Sequence, residues 1–177
     1  MKTRILIVES CLLSFVAGSA LAKGGKPEPP PGEPYSGYAV MCAMLDPGVY
    51  MEDDKYGHLR DAVMLYRIIT DSPYTTGWET LMMNYDIRIK SGKGVSWGYL
   101  EMEPDAFSGT FEEFWSATAK RFVWDISGEY IGQGDLEGIS ATYELTPGDI
   151  EDVPPDTCGG GPILDVQEVT GYVILPE

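Results

Sequence analysis

The feature that most restricts the fold of this chain is a regular alternation of apolar and polar residues between positions 81 and 90. Apolar side chains stand at every second position, and the residues between them are mostly polar: Leu81, Met83, Tyr85, Ile87 and Ile89 against Asn84, Asp86, Arg88 and Lys90. Successive side chains of a strand point to opposite faces of its sheet. A period of two therefore indicates a half-buried antiparallel strand rather than a helix.

Further segments of strand composition follow one another, separated by turn residues such as Asp46-Pro47-Gly48. Residues 109–120 also carry aromatic side chains at helical spacing, but their strand-rich neighbours favour a strand. We expect a loop at 50–60 and a turn at Ser127-Gly128. The predicted strands cover residues 35–45, 61–70, 81–90, 95–102, 109–120, 121–126, 139–145 and 163–175.

About eight strands at this spacing are typical of an all-β barrel or sandwich. No segment between them is suited to a helical crossover, which a parallel sheet requires. The sequence therefore predicts one all-β domain over residues 35–177.

The N-terminal part of the chain differs from this pattern. Residues 1–22 combine a basic start, an apolar stretch and Ala20-Leu21-Ala22, which is the pattern of a secretory signal peptide and its cleavage site. Glu9 and Ser10 interrupt the apolar stretch, and the alternative is a buried N-terminal strand of a cytosolic protein. Residues 23–34 are rich in Gly and Pro and predict a tether. The prediction is a secreted protein, in the periplasm or outside the cell.

The charge balance is strongly acidic. Lys and Arg number 12 against 28 Asp and Glu, a net charge of −16, and cleavage after residue 22 leaves 10 against 27, or −17. Nucleic acid is excluded as a partner, because binding phosphates requires Lys and Arg. The acidity favours solubility and attracts cations or cationic ligands. No second apolar run approaches the roughly 20 residues of a bilayer span, so no membrane span is predicted after signal cleavage.

Two cysteines lie beyond the predicted signal peptide. Cys42 falls in an apolar strand-like run and Cys158 in the loop segment DTCGGGP. In an oxidising compartment, a disulfide between them is one interpretation. The other is a buried free thiol at Cys42, since cysteine is often buried without bonding.

The chain has no specific catalytic constellation. Any Ser-His-Asp or Cys-His arrangement must use His58, the one histidine, whose surroundings YGHLRD carry no nucleophile signature. Carboxylate pairs such as Glu101 with Glu103, or Glu112 with Glu113, suit glycoside chemistry only if they face each other across a cleft. We therefore predict no catalytic residue and no cofactor.

Two motifs that suggest ligand sites favour structural interpretations. The glycines of residues 132–138 lack the strand–helix context of a nucleotide-binding loop, and they fit bent barrel strands better. Asp149, Glu151 and Asp152 are weak calcium candidates, because their spacing does not match an EF-hand loop. We expect a solvated acidic loop, and no metal site is predicted.

Aromatic residues are the most unusual part of the inventory. They either fill a barrel or line a pocket for an apolar ligand. The candidate lining residues are Tyr85, Trp97, Tyr99, Trp115 and Trp124.

Short glycine-dominated motifs spread over residues 38–177 resemble those of an uncharacterised family of barrel-like proteins related to the allene oxide cyclase and dirigent barrels. The matching features are Asp71-x-Pro73, Gly77, Asn84 with Asp86, Gly94 with Trp97-Gly98, SGTF at 108–111, GQGDLEG at 132–138 and the terminal GYVILPE. The chain departs from this pattern at Glu113-Phe114 and over residues 146–162.

The resemblance implies a single eight-stranded antiparallel β-barrel, often a homo-oligomer in the named relatives. It carries no activity over, because the catalytic residues of the cyclases do not align with this chain.

These observations leave three functional hypotheses. The leading one is a non-enzymatic barrel that binds a small apolar ligand or a partner protein in its mouth. The alternatives are a barrel-type isomerase or cyclase acting on a hydrophobic substrate, and an extracellular structural or assembly subunit. A cavity lined by Trp97, Tyr99 or Trp115 with a buried carboxylate favours the enzyme. An apolar cavity without a carboxylate favours binding, and a filled interior favours the structural role.

Overall fold

The computed structural model of the protein describes residues 32–176. These residues form a closed antiparallel eight-stranded β-barrel with one additional strand. The strands are β1 (Glu33–Asp46), β2 (Val49–Glu52), β3 (Tyr56–Thr70), β4 (Gly77–Arg88), β5 (Gly94–Pro104), β6 (Thr110–Lys120), β7 (Val123–Gln133), β8 (Ser140–Pro147) and β9 (Asp165–Ile174).

The barrel closes through its first strand. Strands β3 to β9 pair in sequence order as an antiparallel meander, while β1 pairs with β9 along one edge and with β3 along the other. Strand β2 adds to the free part of β3, outside the closed ring. The predicted all-β barrel is confirmed, and the chain needs no helical crossover because every strand pairing is antiparallel.

Three local predictions are wrong. The expected loop at 50–60 contains β2 and the first residues of β3, which pair from Val49 with Arg60 to Glu52 with Gly57. The expected turn at Ser127-Gly128 lies in the middle of β7, which is continuous to Gln133. The tether predicted for residues 23–34 overlaps the first strand, because β1 begins at Glu33. Residues 23–31 of the predicted tether and the predicted signal peptide lie outside the described residues.

Two inward-facing tyrosines cover glycines on neighbouring strands. A Cβ at Gly171 would contact the ring of Tyr35, and a Cβ at Gly128 would contact the hydroxyl of Tyr143. The sequence predicts a turn at Gly128, but in the structure this glycine lies within a strand and leaves space for the side chains of Tyr143 and Glu113. Such glycines allow a sheet to bend while an aromatic ring fills the gap.

Strands β6 and β7 pair only near their ends. The ladder joins residues 110–112 to 131–133 and residues 118–120 to 123–125 in one register, and the five positions between them on each strand form no pairs. The inward-facing Glu113, Trp115 and Gly128 lie along this stretch. The hydrogen-bonded ladder between these two strands is therefore interrupted in its middle.

The long connection between β8 and β9 lies against the outer wall. Its residue Val153 is buried with Val40, Cys42 and Val166, which face outward from β1 and β9. A disulfide joins Cys42 to Cys158, so the structure adopts the bonded interpretation of these two cysteines. The connection also contains a short 3-10 turn, Ile150–Asp152.

None of the helical turns among residues 32–176 is long and apolar enough to cross a membrane.

We expect replacement of either bonded cysteine to destabilise the barrel substantially. The disulfide joins positions 116 residues apart, and a cross-link of such a loop contributes about 3–5 kcal/mol by restricting the unfolded chain. Cys42→Ser, Cys158→Ser and the double variant should therefore lose the same free energy of unfolding in urea titrations. Losses that add in the double variant would show instead that each side chain contributes through its own packing.

Candidate ligand cavity

The barrel encloses a cavity of about 200 Å³ that residues of every barrel strand line. One end is closed by the fully buried side chains of Met102, Phe111 and Leu136, near the β5–β6 and β7–β8 connections. At the opposite end the lining side chains are half-buried, among them Met83, Trp124 and Leu145. The cavity is therefore a pocket with a sealed floor and an opening at that end.

The alternation of apolar and polar residues that predicts the strands also determines which side chains line the cavity. In β4, Glu79, Leu81 and Met83 face the cavity, and in β7, Trp124, Ile126 and Tyr130 do. Most of the lining is aliphatic or aromatic. An engineered apolar cavity of about 150 Å³ is large enough to bind benzene, so this volume suits a small, mainly apolar molecule.

Glu79 is the buried carboxylate of the cavity. Its side chain is 7% exposed, and the hydroxyl of Tyr130 donates a hydrogen bond of 2.6 Å to Oε2. Burial raises its pKa to about 7, with a smaller contribution from repulsion by Glu113, although the bond from Tyr130 acts in the opposite direction. Among residues 32–176, no Lys, Arg or His lines the cavity. Glu79 is therefore a buried acid that titrates near neutral pH without a protein cation beside it.

Four tyrosines surround this carboxylate. Tyr35, Tyr66, Tyr130 and Tyr143 all line the cavity, and the rings of Tyr130 and Tyr143 stack with centroids 4.7 Å apart. Burial, followed by the charge of a nearby carboxylate, raises the pKa of each. These phenols are therefore neutral at physiological pH. The hydroxyl of Tyr35 donates to the backbone oxygen of Thr142, and that of Tyr130 donates to Glu79.

A second carboxylate lies in the unpaired stretch between β6 and β7. Glu113 faces inward over Gly128, and its Oε2 is buried without a hydrogen-bond partner. Burial raises its pKa, opposed by interactions with the hydroxyl of Tyr143 and the backbone N–H of Glu129. The interior thus contains two acids, of which Glu79 is the more deeply buried.

Two of the predicted lining residues, Trp115 and Trp124, line the cavity. The indole N–H of Trp115 is buried and has no hydrogen-bond partner, so it is an available donor at the wall. Tyr85 packs against Trp124 with ring centroids 6.1 Å apart but is not itself part of the lining. The aromatic part of the cavity is therefore shared between tryptophans and tyrosines.

Trp97 and Tyr99 do not line the cavity. They alternate with the inward-facing Ser96 and Leu100 on β5, so their rings lie on the outer wall. Arg60 stands 5.1 Å from the ring centroid of Trp97, and Tyr99 packs against the 89% exposed Phe114. The prediction is wrong for these two residues, because composition alone does not distinguish an aromatic side chain on the outer face of a strand from one on the inner face.

His58 also lies outside the cavity. Its Nδ1 is 2.6 Å from Oδ1 of Asp86, which also accepts a bond of 2.6 Å from Arg60. Burial acts to raise the pKa of Asp86, but the hydrogen bonds from His58 and Arg60 outweigh it and lower that pKa. This is an ion-pair cluster across β3 and β4, apart from the buried acids.

The weak calcium candidates have a local structural role. Asp149 caps the 3-10 turn by accepting a hydrogen bond of 3.1 Å from the backbone N–H of Glu151. Asp152 lies in the same turn. Within residues 32–176, no group of three or more His, Cys, Asp or Glu side chains is arranged to hold a metal ion.

Sequence reasoning missed Glu79 although its signal was present. Glu79 stands two positions before Leu81 and therefore on the face that the alternation marks as apolar. A charged residue in phase with a buried face is the observation that distinguishes it from a surface acid. Glu113 has the same relation to Phe111 and Trp115.

The fold and the cavity define a closed antiparallel β-barrel with an internal, mainly apolar pocket and a buried acid. Comparison of the chain with family models, curated proteins and solved structures finds no match in any of the three.

We expect Glu79→Gln to stabilise the barrel in a pH-dependent manner. Folding raises the pKa of Glu79 from 4.5 to about 7, so the folded state holds this proton more tightly and loses stability as the pH rises through that interval. The variant should match the wild type near pH 4 and exceed it at pH 8 by roughly 3 kcal/mol, since one pKa unit corresponds to about 1.4 kcal/mol.

Urea unfolding at the two pH values measures this difference. The matched control is Glu103→Gln, because Glu103 is exposed on the neighbouring strand β5. A stability difference between Glu79→Gln and the wild type that does not change with pH would contradict the account.

Proposed function

We propose that the barrel binds a small, mainly apolar ligand in its internal cavity. The observation that carries this proposal is the 200 Å³ pocket with an apolar lining and a few polar groups at fixed positions. Such a combination is characteristic of small-molecule sites, where the apolar wall supplies affinity and the polar groups fix orientation. A filled interior is expected for a structural subunit, so the cavity gives less support to that hypothesis. The buried carboxylate of Glu79 also supports an enzyme, which is the second candidate below.

Glu79, Tyr130 and the indole N–H of Trp115 supply the polar contacts in this proposal. The apolar walls come from residues such as Leu100 and Val169. The proposed location is the periplasm or the extracellular space, supported by the signal-peptide pattern and by the disulfide, which persists in oxidising compartments. Kinship with the allene oxide cyclase and dirigent barrels, and a homo-oligomeric state, are also proposals.

We expect filling the cavity to abolish binding of a small apolar probe. Ala39 is buried and lines the cavity, so Ala39→Phe places a ring in the space of the ligand. Saturation-transfer NMR with 2-phenylethanol should show contacts to the wild type and at least a tenfold loss of affinity in the variant.

The matched control is Ser116→Phe, which adds the same ring to the exposed face of β6. Near-ultraviolet circular dichroism verifies that both variants are folded. Equal binding by the wild type and Ala39→Phe would place the probe elsewhere and overturn the proposal.

A second candidate is a barrel-type isomerase, favoured by the buried Glu79. A general base is most effective when its pKa lies near the working pH, and the pKa of Glu79 is about 7. In a proton-transfer isomerisation of a β,γ-unsaturated carbonyl compound, the carboxylate takes a proton from the α-carbon. The C–H electron pair moves toward the carbonyl to form a dienolate. The protonated Glu79 then returns the proton to the γ-carbon, and the C=C bond shifts into conjugation with the carbonyl.

Exchange of carbon-bound hydrogen tests this second candidate. In D2O at pH 8, the wild type should accelerate loss of the α-proton signals of phenylacetone, followed by NMR. Glu79→Gln should show only the buffer rate, while Glu103→Gln retains the acceleration. Exchange at the buffer rate with wild-type protein that demonstrably binds the ketone would exclude this activity for it.

A further inference from the structure

We propose that the cavity selects a hydrophobic amine: an apolar body with one protonated amino group that pairs with the carboxylate of Glu79 at the cavity wall. This inference rests on the proposed function, because it names the class of ligand for the same cavity. It follows from the buried carboxylates of the interior, the tyrosine rings that line the same cavity and the net negative charge of the whole chain.

The first argument is the missing counter-charge. Glu79 accepts one hydrogen bond, from Tyr130, and no ion pair joins it to a cation in the part of the chain that the structure describes. A buried carboxylate without a cation is costly, because neither water nor an opposite charge stabilises it. A ligand ammonium group supplies that charge together with N–H donors.

The second argument is the set of phenol rings. Tyr35, Tyr66, Tyr130 and Tyr143 line the same cavity as Glu79 and remain neutral. The face of an aromatic ring attracts a cation, most strongly where both are removed from water. Rings around a carboxylate therefore form suitable surroundings for an ammonium group.

The third argument is that the cavity disfavours a negatively charged ligand. The cavity lining contains no Lys, Arg or His among residues 32–176. A ligand carboxylate would lie near Glu79, and Glu113 adds a second negative charge to the interior. Repulsion between like charges in a poorly solvated site disfavours such a ligand.

The net charge of −16 also favours a cationic ligand. A strongly acidic protein raises the local concentration of cations and speeds their association. The apolar walls then select, among cations, those with an apolar body that can displace water from the cavity. Simple metal ions and hydrophilic polyamines lack that body.

The affinity for an amine should depend on pH through Glu79. The titratable groups that face it are Tyr35 on β1, Tyr66 on β3, Glu113 on β6, Tyr130 on β7 and Tyr143 on β8. The tyrosines stay protonated through the neutral range. Below a pH of about 7 the carboxylate must first lose its proton, so affinity should fall by up to roughly tenfold per pH unit.

The experiment compares three molecules that share one apolar body: 2-phenylethylamine, 2-phenylethanol and phenylacetate. Isothermal titration of the wild-type protein at pH 8 should give at least tenfold tighter binding of the amine than of the alcohol, and the weakest binding for phenylacetate. Between pH 8 and pH 5 the amine should lose affinity steeply, while the alcohol should change little.

Glu79→Gln should remove the preference for the amine, so that the amine and the alcohol bind with similar affinities. Glu103→Gln is the matched control and should behave as the wild type, because it removes an equal charge from the exposed face of β5. If Glu79→Gln does not fold, the pH dependence of the wild type tests the same pairing without a variant.

The outcomes separate the two proposals. Binding of the alcohol with no preference for the amine, or tighter binding of phenylacetate, overturns the inference and leaves the proposed apolar site standing. Absence of binding for all three molecules overturns both. A preference for the amine that survives in Glu79→Gln also overturns the inference, because the charge then acts from elsewhere.

Discussion

The fold depends on the double pairing of β1, which bonds to β9 on one side and to β3 on the other. Without this closure, the strands β3 to β9 would form an open sheet in which β9 and most of β3 are unpaired edges, and exposed edges favour association with other chains. Closure also converts the inner face of the sheet into an enclosed interior. The cavity and its buried acids are consequences of that one topological step.

The interior combines a stable apolar wall with an unfavourable charge. Burial of most of the lining is favourable, because apolar side chains leave water. Burial of Glu79 and Glu113 is unfavourable, because their carboxylates lose hydration, and it raises the pKa of both groups. The tyrosine hydroxyl beside Glu79 offsets part of that cost. A buried carboxylate such as that of Glu79 lowers the free energy of unfolding at neutral pH. Destabilising groups of this kind are typical of functional sites.

The sequence could predict the strands because alternation reports directly on a sheet with one buried face. It could not predict β2, whose residues are exposed on all sides and carry no alternation of burial. The turn predicted at Gly128 is wrong because glycine occurs both in turns and in bent strands, and only the neighbouring Tyr143 and Glu113 distinguish the two cases. For the cavity, the aromatic composition identified Trp115 and Trp124, but Trp97 and Tyr99 required the register of β5, which a list of aromatic residues does not contain.

The disulfide closes a covalent ring that differs from the ring of paired strands. The bond between Cys42 and Cys158 closes a ring of backbone that contains β2 to β8, and it leaves most of β1 and all of β9 as two tails. These tails pair with each other and complete the barrel. The covalent ring and the hydrogen-bonded ring are therefore distinct, and a protease that trims either tail can open the second while the first remains intact.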